Sequence, residues 1–391
     1  MQRHTPTEAA SQRLRGSHSK VLFTPTKLGS LELKNRIVMA PMTRAMSPQG
    51  IPGENVAHYY RRRAEAGIGL IISEGSFIPH WSASHDDNAP RFYGNDALAG
   101  WRRVIDAVHD AGGRMFAQLW HVGLVRKPPV AGVAGLFDDD AEAARRLGPS
   151  GIIGGGGLPL AQIRAPATER EIGEIIEAYG NAAASAKELG FDGVEIHGAH
   201  GYLIDQFLWA ETNRRTDRYG GDRTKRSRFG SEVIQQIRRR VGTVFPVTLR
   251  LSTWKSQDYA ARLATTPSEW AEIVTPFVEA GIDGFHLSQR RFWEGEFGSD
   301  LNLAGWTRKL TGKPTITVGS VTLNNSMAEM LQGKDSEPED NLALVYQGLE
   351  RGDFDLVAVG RALIANPDWP EKIRKGETLR PYTMKMLASL D

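Results

Sequence analysis

The stretch Gly193-Val194-Glu195-Ile196-His197-Gly198-Ala199-His200-Gly201-Tyr202 ends an apolar run with two histidines and a tyrosine inside six residues. Two imidazoles can polarise an oxygen, and a phenol can hand over a proton. Satisfied core histidines are the plain alternative. A metal site lacks a third ligand here and does not match a His-Glu-x-x-His helix, so no metal is expected. A second chemical signal is Arg250 in Val247-Thr248-Leu249-Arg250-Leu251. By strand alternation it shares a face with Thr248, opposite Leu249 and Leu251. A guanidinium in that place needs an anion or several acceptors, either an internal carboxylate or a ligand that gains negative charge. Gln118, in Ala117-Gln118-Leu119-Trp120-His121, offers two donors and an acceptor that suit a heterocycle edge or a backbone partner. Gly319-Ser320 and Gly360-Arg361 each follow an apolar run. Freed backbone N–H groups beside an arginine suit a phosphate, while a sharp turn or a surface ion pair would also explain them.

These residues need elements to hold them. Short apolar, β-rich runs recur at 36–41, 69–75, 114–120, 193–198, 246–252, 284–289, 315–320 and 356–361. Near-continuous apolar character over a few residues is the mark of strands buried on both faces. Helices are expected over 54–66, 96–111, 171–189, 222–241, 267–280 and 341–351. Thr168 and Glu171 form a capping box before the third of these, and Gly190 stops it. Alternating strands and helices predict a parallel sheet, and eight units predict a single (β/α)₈ barrel. No Gly-x-Gly-x-x-Gly follows a strand, which removes the main signal of a dinucleotide-binding open sheet. In a barrel the polar residues above fall at the C-terminal strand ends, where active sites sit, and strands seven and eight end at the usual phosphate position. The pocket suits a phosphorylated heterocycle such as FMN. A barrel isomerase or lyase for a sugar phosphate would instead use a lysine or carboxylate base at a strand end, and none stands out.

The chain has 391 residues, 40% of them hydrophobic, enough for a sizeable core. Its 48 basic and 46 acidic residues leave a formal charge of +2, so neither nucleic acid nor an anionic membrane is an expected partner. No apolar stretch is long enough to span a bilayer. There is no cysteine, which removes disulfides, cysteine-ligated metals, iron–sulfur clusters and thiol nucleophiles. A cytoplasmic location is compatible with that and is the expectation. Residues 1–20 carry Arg3, Arg13, Arg15 and Lys20 without an apolar core and read as a disordered extension ahead of a domain over 21–391. The segment 121–167 is far longer than a usual strand–helix loop and reads as a cap over the catalytic face. A polar insert at 332–340 reads as a surface loop.

Taken in order, these motifs resemble the Old Yellow Enzyme family, from about Leu22 to Tyr382. The resemblance is carried by Leu33-Lys34-Asn35-Arg36-Ile37-Val38-Met39-Ala40-Pro41-Met42-Thr43-Arg44, by Ser73-Glu74-Gly75 and by Gln118-Leu119-Trp120-His121. The run from Gly193 to Phe207, then Asn213-Arg214-Arg215-Thr216-Asp217-Arg218-Tyr219-Gly220-Gly221, Val359-Gly360-Arg361 and Asn366-Pro367 complete it. Threonine at 43 is similar to the classical-type branch, which lacks the cysteine of its thermophilic counterpart.

The resemblance implies non-covalent FMN, with NADPH or NADH as reductant and a monomer or homodimer. Pro41, Met42 and Thr43 would line the flavin, Gly75 would let the ring approach, and Gln118 would bond its pyrimidine edge. Arg250 would face N1 and O2. Gly319, Ser320, Gly360 and Arg361 would hold the phosphate. His197 and His200 would bind the substrate oxygen, Trp120 would shape the pocket, and Tyr202 would protonate the α-carbon of an α,β-unsaturated carbonyl or nitro compound. Desaturation, nitro or nitrate-ester reduction and demethylation are alternative reactions on the same scaffold, and a barrel that binds FMN without turnover is a further one. The chain departs from the family pattern at Leu124, where arginine is common. It also departs in the loop containing Arg290 and Arg291, which read as a solvated charge pair or a contact for a dinucleotide phosphate.

Overall fold

The computed structural model describes residues 20–84, 86–125, 146–155 and 158–391. Eight parallel strands form a closed barrel: β1 (Ile37–Met39), β2 (Leu70–Ile72), β3 (Met115–Trp120), β4 (Gly193–His197), β5 (Val247–Leu251), β6 (Gly284–Ser288), β7 (Thr315–Val318) and β8 (Leu356–Val359). Each pairs with its sequence neighbours, and β8 pairs with β1 to close the ring. All eight lie inside the apolar runs of the sequence. Helices cover the outside: α1 (Glu54–Glu65), α2 (Asn95–Asp110), α3 (Glu169–Glu188), α4 (Arg223–Val241), α5 (Pro267–Glu279), α6 (Leu303–Thr311), α7 (Leu342–Arg351) and α8 (Trp369–Lys375). The expected capping box is present at α3, where the Thr168 hydroxyl accepts from Glu171 N–H and the Glu171 carboxylate accepts from Thr168 N–H.

Two apolar layers result from strand alternation. Ile37, Met39, Ile71, Val194, Ile196, Leu249, Phe285 and Val357 face the helices. Val38, Ala40, Leu70, Ile72, Phe116, Ile316, Leu356 and Ala358 fill the barrel interior together with Leu28 and Leu33. Those two leucines come from an antiparallel hairpin, Thr26–Leu28 with Leu31–Leu33, which plugs the N-terminal end. The interior is divided. Strands β7, β8, β1 and β2 supply only aliphatic residues to the inner cluster. In neighbouring register across β3 to β6 lie Gln118, Glu195, Thr248, Arg250 and His286, all buried.

The long segment after β3 contains an antiparallel hairpin, Ile152–Gly155 with Leu158–Gln162. Its base is anchored where Arg215 donates to the carbonyls of Pro149 and Ala167 at 2.8 and 2.6 Å. Pro128, Pro129 and the acidic run at 138–140 lie outside the described residues, as do residues 1–19, where the expected extension falls. Among the described residues no helix is long and apolar enough to cross a membrane.

Candidate active site

The end of β4 turns sharply. His200 and Gly201 both have left-handed backbone angles, φ +64° and +85°. A histidine there is uncommon, and local bonds hold it. His200 N–H donates to Ser252 Oγ at 2.9 Å, and Ser256 N–H donates to the His200 carbonyl at 3.1 Å. Gly201 N–H donates to Asp205 Oδ2 at 2.7 Å, while Asp205 Oδ1 meets Lys255 Nζ at 2.7 Å with both side chains fully buried. The turn is therefore pinned to the loop after β5.

That turn presents three of the expected residues together. His197 and Tyr202 lie edge to face at 4.9 Å, and His197 and His200 at 5.3 Å. Trp120 stacks near His197 at 5.9 Å and meets Tyr202 edge-on at 4.9 Å. Burial, reinforced by the positive charge of Arg250, holds both imidazoles well below the usual histidine range. They are neutral donors at physiological pH. The backbone N–H of Ala199 donates to His197 Nδ1 at 3.3 Å, so a neutral ring carries its proton on Nε2. Burial pushes the Tyr202 phenol up to about 12, with Ser256 and Arg250 opposing, so it keeps its proton. Two residues near His200 are absent from the sequence reading. The Trp254 ring stacks on it at 4.2 Å and donates Nε1–H to the Ser288 carbonyl at 3.0 Å. The Ser288 hydroxyl meets His200 Nε2 at 2.8 Å. Trp254 sits in a loop, outside any periodic signal.

Deeper in the barrel, Gln118 Nε2 donates to Glu195 Oε1 at 2.8 Å, and His286 Nδ1 meets Glu195 Oε2 at 2.9 Å. Glu195 and His286 are fully buried and are also additions to the sequence reading. Arg250 makes one long contact, from its terminal nitrogen to Ser288 Oγ at 3.5 Å, and its buried Nε has no partner among the described residues. Burial draws its guanidinium down to about 10, with the Glu195 charge opposing, so it remains a cation. An under-bonded arginine at a barrel mouth fits a ligand that carries negative charge.

At the end of β1, Pro41 is buried and Thr43 is exposed at the mouth. The following backbone is fixed by Glu74, whose Oε2 accepts from Arg44 and Ala45 N–H at 2.9 and 3.0 Å. Burial raises this carboxyl to about 7. Gly75 is needed locally: a Cβ there would lie 2.6 Å from the Trp120 ring and 3.3 Å from Gln118 Oε1. The room left by glycine is thus used by Trp120 itself.

The ends of β7 and β8 bring the expected phosphate residues together. Gly319 (φ +155°) has no space for a Cβ, which would meet the Gln289 carbonyl at 2.8 Å. Ser320 has a left-handed φ of +57°. Its hydroxyl and the Arg361 guanidinium both donate to the Asn325 carbonyl, at 2.9 and 2.6 Å. Gly360 faces Met42, whose Sδ would be 3.7 Å from an added Cβ, so this corner adjoins the β1 end. The 332–340 insert is more than a surface loop. Ser336 is buried, bridges to Tyr382, and accepts from Arg361 at 3.1 Å.

The loop after β6 corrects the reading of Arg290 as solvated. It is part-buried and donates to the carbonyls of Tyr259 and Ala261 at 2.9 and 2.8 Å. A guanidinium tied to backbone acceptors joins two loops. Arg291 bonds the Asn324 carbonyl at 2.8 Å. Leu124 is packed in the core, where a Cβ on Gly148 would collide with it.

An amide, an under-bonded arginine, an exposed threonine and a glycine–arginine corner surround one barrel mouth, a donor set that fits FMN. The model of the NADH:flavin oxidoreductase / NADH oxidase family matches residues 21–338. The chain is 34% identical to 12-oxophytodienoate reductase 7 of Oryza sativa subsp. japonica over 387 residues, covering 95% of this chain and 92% of that protein. It is 34% identical to an NADH oxidase of Thermoanaerobacter brockii over 373 residues, 92% of this chain, and spans only 52% of that longer relative. Morphinone reductase in complex with tetrahydroNAD superposes with a TM-score of 0.73 at 30% identity, covering 94% of this chain and 93% of that one. The Old Yellow Enzyme homologue from Zymomonas mobilis gives 0.74 at 28% identity, covering 94% and 96%. The chain belongs to the NADH:flavin oxidoreductase / NADH oxidase family, that of Old Yellow Enzyme, and is an FMN-dependent oxidoreductase.

Proposed function

We propose that this protein is an ene-reductase, using NADPH or NADH to reduce the C=C bond of α,β-unsaturated carbonyl or nitro compounds. The observation that carries the reading is the grouping of two neutral histidines with a protonated Tyr202, 4.9 Å from His197, on one turn. Relatives named as reductases of 12-oxophytodienoate and morphinone support it. When bound, FMN would supply the hydride chemistry that links the nicotinamide to the β-carbon of the substrate. The protein's own residues do the rest. His197 donates from Nε2–H to the carbonyl or nitro oxygen, with His200 beside it, and so favours negative charge developing there. Tyr202 delivers a proton to the α-carbon. Trp120 walls the pocket. Thr43, Gln118 and Arg250 would hold the isoalloxazine, and Gly319, Ser320, Gly360 and Arg361 would hold the phosphate.

The test is an anaerobic visible spectrum of the purified protein, before NADPH, after it, and after cyclohexenone. Flavin absorbance should bleach and then return. Bleaching without return would overturn the ene-reductase reading and leave another oxidant on the same scaffold.

A further inference from the structure

The polar half of the barrel interior holds a charge that the roles above do not use. Glu195 has no exposure, and each of its oxygens already has one partner, Gln118 Nε2 at 2.8 Å and His286 Nδ1 at 2.9 Å. An ionised carboxylate only accepts hydrogen bonds. Gln118 must therefore turn its NH₂ toward Glu195, which leaves its carbonyl Oε1 on the Gly75 side. Without Glu195 either face of that amide could point to the mouth. His286 must likewise donate from Nδ1, and its buried Nε2 has no partner among the described residues.

Arg250 supplies the opposing charge. It is in register with His286 on β6 and His197 on β4, one strand away from Glu195. No hydrogen bond joins the two ions, yet Glu195 is the main counter-charge acting on the guanidinium. The arrangement balances Arg250 at a distance without occupying its donors.

We propose that Glu195 is a positioning residue for the cofactor: it fixes the flip of Gln118 and, through its charge, sets the affinity for FMN and the flavin reduction potential. This rests on the reading that Gln118 and Arg250 face the isoalloxazine. Removing a nearby negative charge favours added negative charge on the ring, so the potential rises when Glu195 becomes neutral. Losing the fixed amide flip weakens binding.

The experiment compares Glu195→Gln, Glu195→Asp and Gln118→Ala with the parent holoenzyme. FMN dissociation constants are read from flavin fluorescence, and potentials by spectroelectrochemistry. Glu195→Gln should raise the dissociation constant roughly tenfold, about the worth of one lost charge-assisted hydrogen bond. It should raise the reduction equilibrium constant roughly tenfold, or about 30 mV for a two-electron couple. Glu195→Asp keeps the charge and should weaken binding while leaving the potential at the parent value. Parent-like affinity and potential in Glu195→Gln overturn the inference. Should that variant fail to fold, parent-like affinity in Glu195→Asp overturns it equally. If Gln118→Ala binds FMN as the parent does, the underlying site reading has failed instead.

Discussion

A neutral imidazole has one proton, and its neighbours decide which nitrogen carries it. At His197 the Ala199 N–H occupies Nδ1, so Nε2–H is the atom left to meet a substrate oxygen. Tyr202 is complementary. Its phenol is pushed up to about 12 by burial, so it holds a proton through the whole working range. Tyr202→Phe removes that proton and keeps the ring that packs on Trp120 and His197. Enone reduction should fall by about a hundredfold or more, the usual scale of general acid catalysis. Flavin reduction by NADPH should stay near the parent rate. Stopped-flow traces of the two half-reactions separate the outcomes, and an equal fall in both would remove Tyr202 as the proton donor. The histidines, Tyr202, Arg250 and Gln118 were legible in sequence because polar side chains interrupt apolar runs at strand ends. Glu195 and His286 were not. Glu195 is explained only by its partners on other strands, and the His286 that shares its carboxylate lies 91 positions away, a pairing no local pattern reveals.

At the scale of elements, the catalytic turn is held by a different strand's loop. Lys255 and Asp205 are fully buried and paired with each other, with Asp205 accepting from Gly201 N–H and Lys255 donating to the Thr253 carbonyl. Burial lowers the lysine and raises the carboxyl, so each depends on the other to remain charged. Lys255→Met leaves an uncompensated anion and should cost about 3–5 kcal/mol. The double variant Lys255→Met with Asp205→Leu should recover much of that. Urea denaturation of the three proteins checks it, and a single variant as stable as the parent would show that the pair does not hold the turn. The strands were readable because a parallel barrel strand is buried on both faces. Helix α6 was missed: at nine residues it is too short for a sustained helical period, and it is marked mainly by its Asn302 cap and by Gly312 in the left-handed region.

For the molecule as a whole, the buried histidines make stability depend on pH. His80, His121, His197, His200 and His286 are all held below the ordinary value of 6.5 by burial. Below pH 6.5 the unfolded chain binds protons at these positions that the folded chain does not, so stability is lost as pH falls. Glu74 and Asp205, raised by burial, act in the opposite sense, but five imidazoles outnumber two carboxyls. Urea midpoints with saturating FMN, from about pH 8 to about pH 5, should therefore decline on the acid side. A midpoint that rises toward acid would show that the carboxyls dominate. The barrel itself followed from alternation and strand count. What no local pattern announced was the division of its interior into an aliphatic half on β7, β8, β1 and β2 and a bonded polar half on β3 to β6.

That division says where a gene of this kind can be cut and rejoined. Aliphatic neighbours tolerate exchange so long as total volume is kept. Hybrids with a relative that cross over between β2 and β3, or between β6 and β7, pass Gln118, Glu195, Arg250 and His286 on as one inheritance. A junction between β4 and β5 separates Glu195 from Arg250 and His286, and asks two ancestries to agree on a buried charge.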